Sequence, residues 1–253
     1  MRRLLPAWLL LLTCCACSTA PRCDRSRDPR ACLRVLFIGN SYTFVNDLPA
    51  TLAELARAGG HTLETGMAAD GGWTLAQHAA SAATLDLLAA QRWDYVVLQE
   101  QSQAPSDPRA RSAAMYPAVR TLAEKIRRAR ATPLLFQTWG HRGGWPEMGM
   151  PNYASMQAQI GKGYRGIASE LNVQVVPAGD AWARALGSDP SVELWQADGS
   201  HPTEQGTYLA ACVFYAAIFG ESPEGLSFHG GLSQESAQQL QTIAADTVLK
   251  TRR

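Results

Sequence analysis

Three side chains in two short segments have the types that nucleophilic hydrolysis needs. Gly39-Asn40-Ser41-Tyr42-Thr43 places a serine directly after the apolar run Val35-Leu36-Phe37-Ile38. Asp198-Gly199-Ser200-His201-Pro202 places an aspartate and a histidine three positions apart near the other end of the chain. A serine hydroxyl is a weak nucleophile until an adjacent base takes its proton. That base works best when a third group orients it and stabilises its charged form. In this reading Ser41 is the nucleophile, His201 the base and Asp198 the orienting carboxylate. Taken singly, each has an ordinary explanation: Ser41 capping a turn, Asp198-Gly199 forming one, His201 preceding Pro202 in a loop. The combination points to hydrolysis, and it requires a fold that brings the two ends together.

The elements between them supply such a fold. Short apolar runs at 35–38, 95–98, 133–136 and 173–176, with a weaker one at 62–67, read as strands. The run at 95–98 is continuously apolar, as expected of a strand buried on both faces. Helical patterns alternate with them. Asp47 caps the first, with Pro49 in its opening turn, Leu48, Leu52, Leu55 and Ala56 on its apolar face, and Gly59-Gly60 at its end. Others are expected at 74–90, 109–130, 152–171, 204–219 and 233–249. Alternation of this kind predicts an α/β fold, a three-layer α/β/α sandwich around a five-stranded parallel sheet.

In an open parallel sheet, ligands bind beyond the carboxyl ends of the strands. Those ends carry Gly39-Asn40-Ser41, Asp70-Gly71-Gly72-Trp73, Gln99-Glu100-Gln101-Ser102, Thr138-Trp139-Gly140-His141 and Gly179-Asp180. The backbone N–H groups of Ser41 and Gly72, with a side-chain amide from Gln99 or Gln101, are the candidate donors to an oxyanion. Trp73, Trp139 and Trp145 are expected either to line a cleft or to pack at loop bases. His141, in the irregular stretch 140–151, is expected to be solvated, and His61, His78 and His229 to lie at the surface. Cys212, inside an apolar helical run, reads as a small buried hydrophobe.

Composition narrows the function classes. The 253 residues carry 23 Lys and Arg against 22 Asp and Glu, and no block of like charge, so nucleic acid is not an expected partner. No cysteine or histidine spacing suggests a metal, and no organic cofactor is implied. The N-terminus has the layout of a signal peptide: Arg2-Arg3, an apolar core from 4 to 12 too short to span a bilayer, then Thr13-Cys14-Cys15-Ala16-Cys17-Ser18. Cysteines at that position resemble a bacterial lipoprotein signal, with Cys15 and Cys17 the candidates for lipidation and the membrane as partner through that anchor. The expected organisation is a signal peptide at 1–17, a polar tether at 18–33 and one domain at 34–253. The protein is expected in the periplasm or on the outer membrane, or secreted if not lipidated. Export permits disulfides, and Cys23 and Cys32 are a candidate pair.

The segment from Val35 to Thr43 resembles the first block of the SGNH/GDSL hydrolase superfamily, with Asn40 where the usual aspartate precedes the nucleophile. Asp198-Gly199-Ser200-His201-Pro202 resembles the fifth block, Asp-x-x-His-Pro. Gly71-Gly72-Trp73-Thr74 is similar to the second, whose glycine donates to the oxyanion. The third block departs: Gln99-Glu100-Gln101-Ser102 stands where Gly-x-Asn-Asp is usual, a variant similar to a bacterial branch carrying Leu-Gln-x-x-Ser. The resemblance spans about residues 34–250. It implies the flavodoxin-like SGNH fold and a serine esterase acting on a small-molecule or glycan ester, an O-acyl or O-acetyl group among them. The alternative is a noncatalytic envelope protein that binds a ligand in the same cleft. A general lipase is a third reading, and the 140–151 stretch is only moderately apolar for a lid.

Overall fold

In a computed structural model of the protein, residues 32–250 are described. Five parallel strands form one sheet: β1 (Leu33–Gly39), β2 (Leu63–Ala69), β3 (Tyr95–Leu98), β4 (Thr132–Phe136) and β5 (Gln174–Val176), in the order β2-β1-β3-β4-β5. The chain reverses direction across the sheet at β1, so the ends of β1 and β3 flank the crevice where this topology binds ligands. The pleat splits the core in two. Val35, Phe37, Val97, Leu134 and Phe136 face one way, and Leu36, Ile38, Val96, Leu98 and Leu135 the other. Burial on both faces explains why these strands read as unbroken apolar runs. Helices α2 (Leu48–Ala58), α8 (Ala178–Ser188), α9 (Glu204–Phe219) and α10 (Gln234–Val248) cover the first face. Helices α3 (Leu75–Ala80), α4 (Ala82–Ala89), α6 (Tyr116–Arg128) and α7 (Tyr153–Leu171) cover the second. The α/β/α sandwich is therefore as expected. Cys212 lies fully buried and unpaired in α9.

Three local expectations change. The helix at 74–90 is two helices, because the Ser81 hydroxyl accepts from Thr84 N–H and starts a new one. The helix at 109–130 begins as one turn, α5 (Pro108–Ala110), and passes through a π-helical segment at Arg111–Met115 before α6. Helix α8 was not expected at all. It starts at the tip of β5, where Gly179-Asp180 reads as a loop. Gly179 is required there because a Cβ would strike the Thr138 carbonyl oxygen. The first strand starts earlier than its apolar run: β1 begins at Leu33, paired with Leu63, and Cys32 before it is buried and disulfide-bonded. Cys15, Cys17 and Cys23 lie outside the described residues.

Candidate active site

Ser41 opens α1 (Ser41–Phe44), a single turn that starts where β1 stops. Asn40 caps that turn by accepting from Tyr42 N–H. Gln99, at the tip of β3, holds the cap. Its Oε1 accepts from Asn40 N–H at 2.8 Å and from the Thr43 hydroxyl at 3.0 Å, and its Nε2 donates to Asn40 Oδ1 at 2.9 Å. Asn40 Nδ2 in turn donates to the Trp73 carbonyl at 2.9 Å, tying down the loop that carries Gly72. Gln99 is 0% and Asn40 2% exposed. Gly39 is obligatory between them, since a Cβ would collide with Gln99 Oε1 and Thr43 Oγ1.

This geometry corrects the expectation that Gln99 donates to an oxyanion. Both of its amide hydrogens are spoken for, by Asn40 Oδ1 and by the Glu100 carbonyl. Gln99 is a positioning residue. Gln101 lines the cleft; its Oε1 accepts from Gln103 and Ala104 N–H, and its Nε2 reaches Ser102 Oγ at 3.3 Å. Ser41 and Gly72 N–H carry no partner among the described residues, and Gly72 adopts φ +72°, which favours glycine.

His201 and Asp198 come from the loop before α9. His201 Nε2 stands 2.9 Å from Ser41 Oγ, and His201 Nδ1 stands 2.5 Å from Asp198 Oδ2. Asp198 Oδ1 also accepts from Ser200 and His201 N–H. The hydrogen bond from His201, with those backbone donors, pulls the Asp198 carboxyl down to about 2. A carboxylate ionised at neutral pH can only accept, so the ring hydrogen sits on Nδ1 and Nε2 is left to accept from the serine hydroxyl.

What holds this loop was not legible in the sequence. Trp139 is fully buried; it stacks on Trp182 (centroids 4.0 Å apart) and on Tyr42 (4.8 Å), and Tyr42 meets the His201 ring edge-on at 5.9 Å. Trp139 Nε1 donates to the Ser200 carbonyl at 3.0 Å, Arg142 N–H to Gly199 at 2.8 Å, and Trp195 Nε1 to Gly140 at 3.1 Å. Trp139 is thus a packing residue. Trp73 and Trp145 are half-buried, and neither lines the cleft. Tyr42, Trp182 and Trp195 went unnoticed because aromatic residues in helices and loops carry no motif.

Two histidines are corrected. His78 is 1% exposed rather than at the surface. Its Nε2 donates to the Gly39 carbonyl at 2.7 Å, so Nδ1 accepts from the Thr84 hydroxyl at 2.9 Å. Burial pushes its pKa below the ordinary value, which keeps it neutral. It braces β1 immediately before the nucleophile. His141 is half-buried, not solvated, with Nε2 3.2 Å from Ser102 Oγ. Burial also lowers its pKa, against the opposing pull of Asp198.

Asn40, Ser41, Gly72, Gln101, Ser102 and His201 share a cleft of about 390 Å³. A second cleft of similar volume, beside Gln174, Asp180, Arg184 and Val248, lies along the β5 edge and contains no serine or histidine.

No family model matches the chain, and no curated protein matches it. Solved structures do. A protein of Slackia heliotrinireducens assigned to the SGNH hydrolases is 29% identical, with a TM-score of 0.63 over 74% of this chain and 99% of its own. The chain is similar to the SGNH/GDSL hydrolases in sequence and in fold. A DUF4886 family protein from Bacteroides uniformis shares the fold at 21% identity and TM-score 0.73, covering 87% of this chain and 96% of its own. A variant of an acetyl-xylooligosaccharide esterase from Geobacillus shares it at 17% identity and TM-score 0.59, covering 75% and 96%. In this chain Ser41, Gly72 and His201, from three separate loops, meet at one cleft.

Proposed function

We propose that the chain is an exported serine esterase that removes an acyl group, such as acetyl, from a glycan or another small alcohol. The observation that carries the reading is the hydrogen-bonded series Ser41 Oγ, His201 Nε2, His201 Nδ1, Asp198 Oδ2. In this mechanism Ser41 Oγ attacks the ester carbonyl as its proton passes to His201 Nε2. Asp198 stabilises the imidazolium. The tetrahedral oxyanion is met by Ser41 and Gly72 N–H, and Gln101 is the remaining side-chain amide at the cleft. The proton then leaves on the departing alcohol. Water, deprotonated by His201, attacks the acyl-serine, and collapse of the second intermediate frees the acid and returns the proton to Ser41.

An acetyl-glycan substrate is supported by the activity named for the Geobacillus neighbour. Export and a lipid anchor at Cys15 or Cys17 rest on the N-terminal pattern. Hydrolysis of p-nitrophenyl acetate is expected of the wild-type protein and not of Ser41→Ala, with kcat reduced about 1,000-fold or more. Equal rates in the two would overturn the esterase and favour a ligand-binding role. Membrane fractionation of a double Cys15→Ser, Cys17→Ser variant is expected to move the protein to the soluble fraction; retention on membranes would exclude lipidation at those positions.

A further inference from the structure

We propose that Ser102 recognises a hydroxyl group on the alcohol portion of the substrate, and that His141 positions Ser102 for that role. The proposal rests on the esterase reading and narrows it to esters of polyols and sugars.

Ser102 lines the same cleft as Ser41 and His201. Its hydroxyl bonds no backbone group. It is hydrogen-bonded by two side chains, Gln101 Nε2 at 3.3 Å and His141 Nε2 at 3.2 Å, and it also interacts with the Tyr42 hydroxyl. Gln101 can only donate through that nitrogen, and its orientation is fixed because its Oε1 is occupied by Gln103 and Ala104 N–H. A serine hydroxyl has one donor and two acceptor positions. Gln101 takes one acceptor position, and His141 takes one further position in either tautomer. The third is shared with the Tyr42 hydroxyl, which is itself bonded to Ser200 Oγ at 2.8 Å and is the partner that a hydroxyl in the cleft would replace.

His141 is built to hold this contact. Its backbone N–H meets Met156 Sδ, and Gly140 before it donates to Gln157 Oε1 and accepts from Trp195 Nε1. No carboxylate is bonded to His141, unlike His201, so the pair is a poor second nucleophile and base. None of the residues lining the cleft has an aliphatic side chain. Hydroxyls and amides in a wall of that kind are satisfied by a hydroxylated alcohol and left unpaired by an alkyl one, which is how a site rejects the analogue lacking the hydroxyl.

The experiment compares two acetates that share the acyl group, glycerol monoacetate and ethyl acetate, followed by proton release with the full-length protein. The readout is the ratio of kcat/KM for the first to that for the second, which is internal to each variant and independent of the fraction folded. Wild type is expected to favour glycerol monoacetate. Ser102→Ala is expected to lower the ratio about tenfold, chiefly through KM, as loss of one hydrogen bond implies. His141→Phe should lower it in the same direction, and His141→Gln, which retains a donor, should keep it within about threefold of wild type. A ratio unchanged in both Ser102→Ala and His141→Phe, or equal losses on both esters, overturns the proposal. Wild type that hydrolyses neither ester and leaves Ser41 unlabelled by a fluorophosphonate overturns the esterase reading itself.

Discussion

The two halves of the site are held in opposite ways. The nucleophile is fixed from inside the protein: Asn40 and Gln99 are buried, and their amides stitch together the ends of β1, β2 and β3. The base is fixed from outside. The His201 side chain is 34% and that of Asp198 46% exposed, on a loop suspended from Trp139, Arg142 and Trp195. Nucleophile and oxyanion donors must keep a fixed geometry, and a buried amide network provides it because breaking any member strands a polar group in the core. The base exchanges protons with water and substrate, and exposure suits that. Mutations in the two halves should therefore fail differently, one through folding and the other through chemistry.

The largest effect belongs to the exposed half. His201→Ala is expected to lower kcat on p-nitrophenyl acetate by about 10,000-fold or more while the melting temperature stays within about 2 °C of wild type. Gln99→Leu should do the reverse in kind. It leaves Asn40 N–H and the Thr43 hydroxyl without the Gln99 oxygen they donate to, and Asn40 Oδ1 with Tyr42 N–H alone, at a cost of about 2–4 kcal/mol, read as a drop in melting temperature of roughly 5–15 °C. If His201→Ala melts as early as Gln99→Leu, the contrast between the halves fails.

The smallest effect is confined to high pH. Glu100, behind the nucleophile, is 1% exposed; its Oε1 accepts from Leu75 and Gln101 N–H, and burial raises its carboxyl from 4.5 to about 7. The unfolded chain releases this proton near 4.5 and the folded chain near 7, so between those values the folded state binds more protons. Stability then falls as pH rises through that window and stays lower above it. Glu100→Gln is expected to remove the decline, with a gain on the order of 2–3 kcal/mol at pH 8 and little at pH 4, read by denaturant unfolding at both. The same gain at both pH values would show that the carboxyl does not titrate in this window.

The strands were legible because burial on both faces forces continuous apolar runs. Helices α2 and α9 were legible because a capping residue and a glycine bracket each. The gap at Ser81 was hidden in an alanine-rich stretch where helix propensity is uniform. Helix α8 was hidden because Pro177, Gly179 and Asp180 are turn-forming residues, and its buried face rests on Ala181, Trp182 and Ala185. His78 sat on a helix face whose direction only the packing of α3 reveals. The roles of Gln99 and Gln101 were not separable from spacing: both follow β3, and the side that each presents depends on how the loop turns.

By itself the sequence determined the alternation of buried strands and helices and the two blocks that carry Ser41, Asp198 and His201, since short-range pattern and residue type specify those. Only the tertiary structure decided that Gln99 braces the nucleophile while Gln101 faces the cleft, that Trp139 is a support, and that His141 is paired with Ser102. Each of these depends on which distant groups compete for one side chain's hydrogen bonds or cover its surface. That competition is settled by packing between residues far apart in the chain, 158 positions in the case of Tyr42 and Ser200.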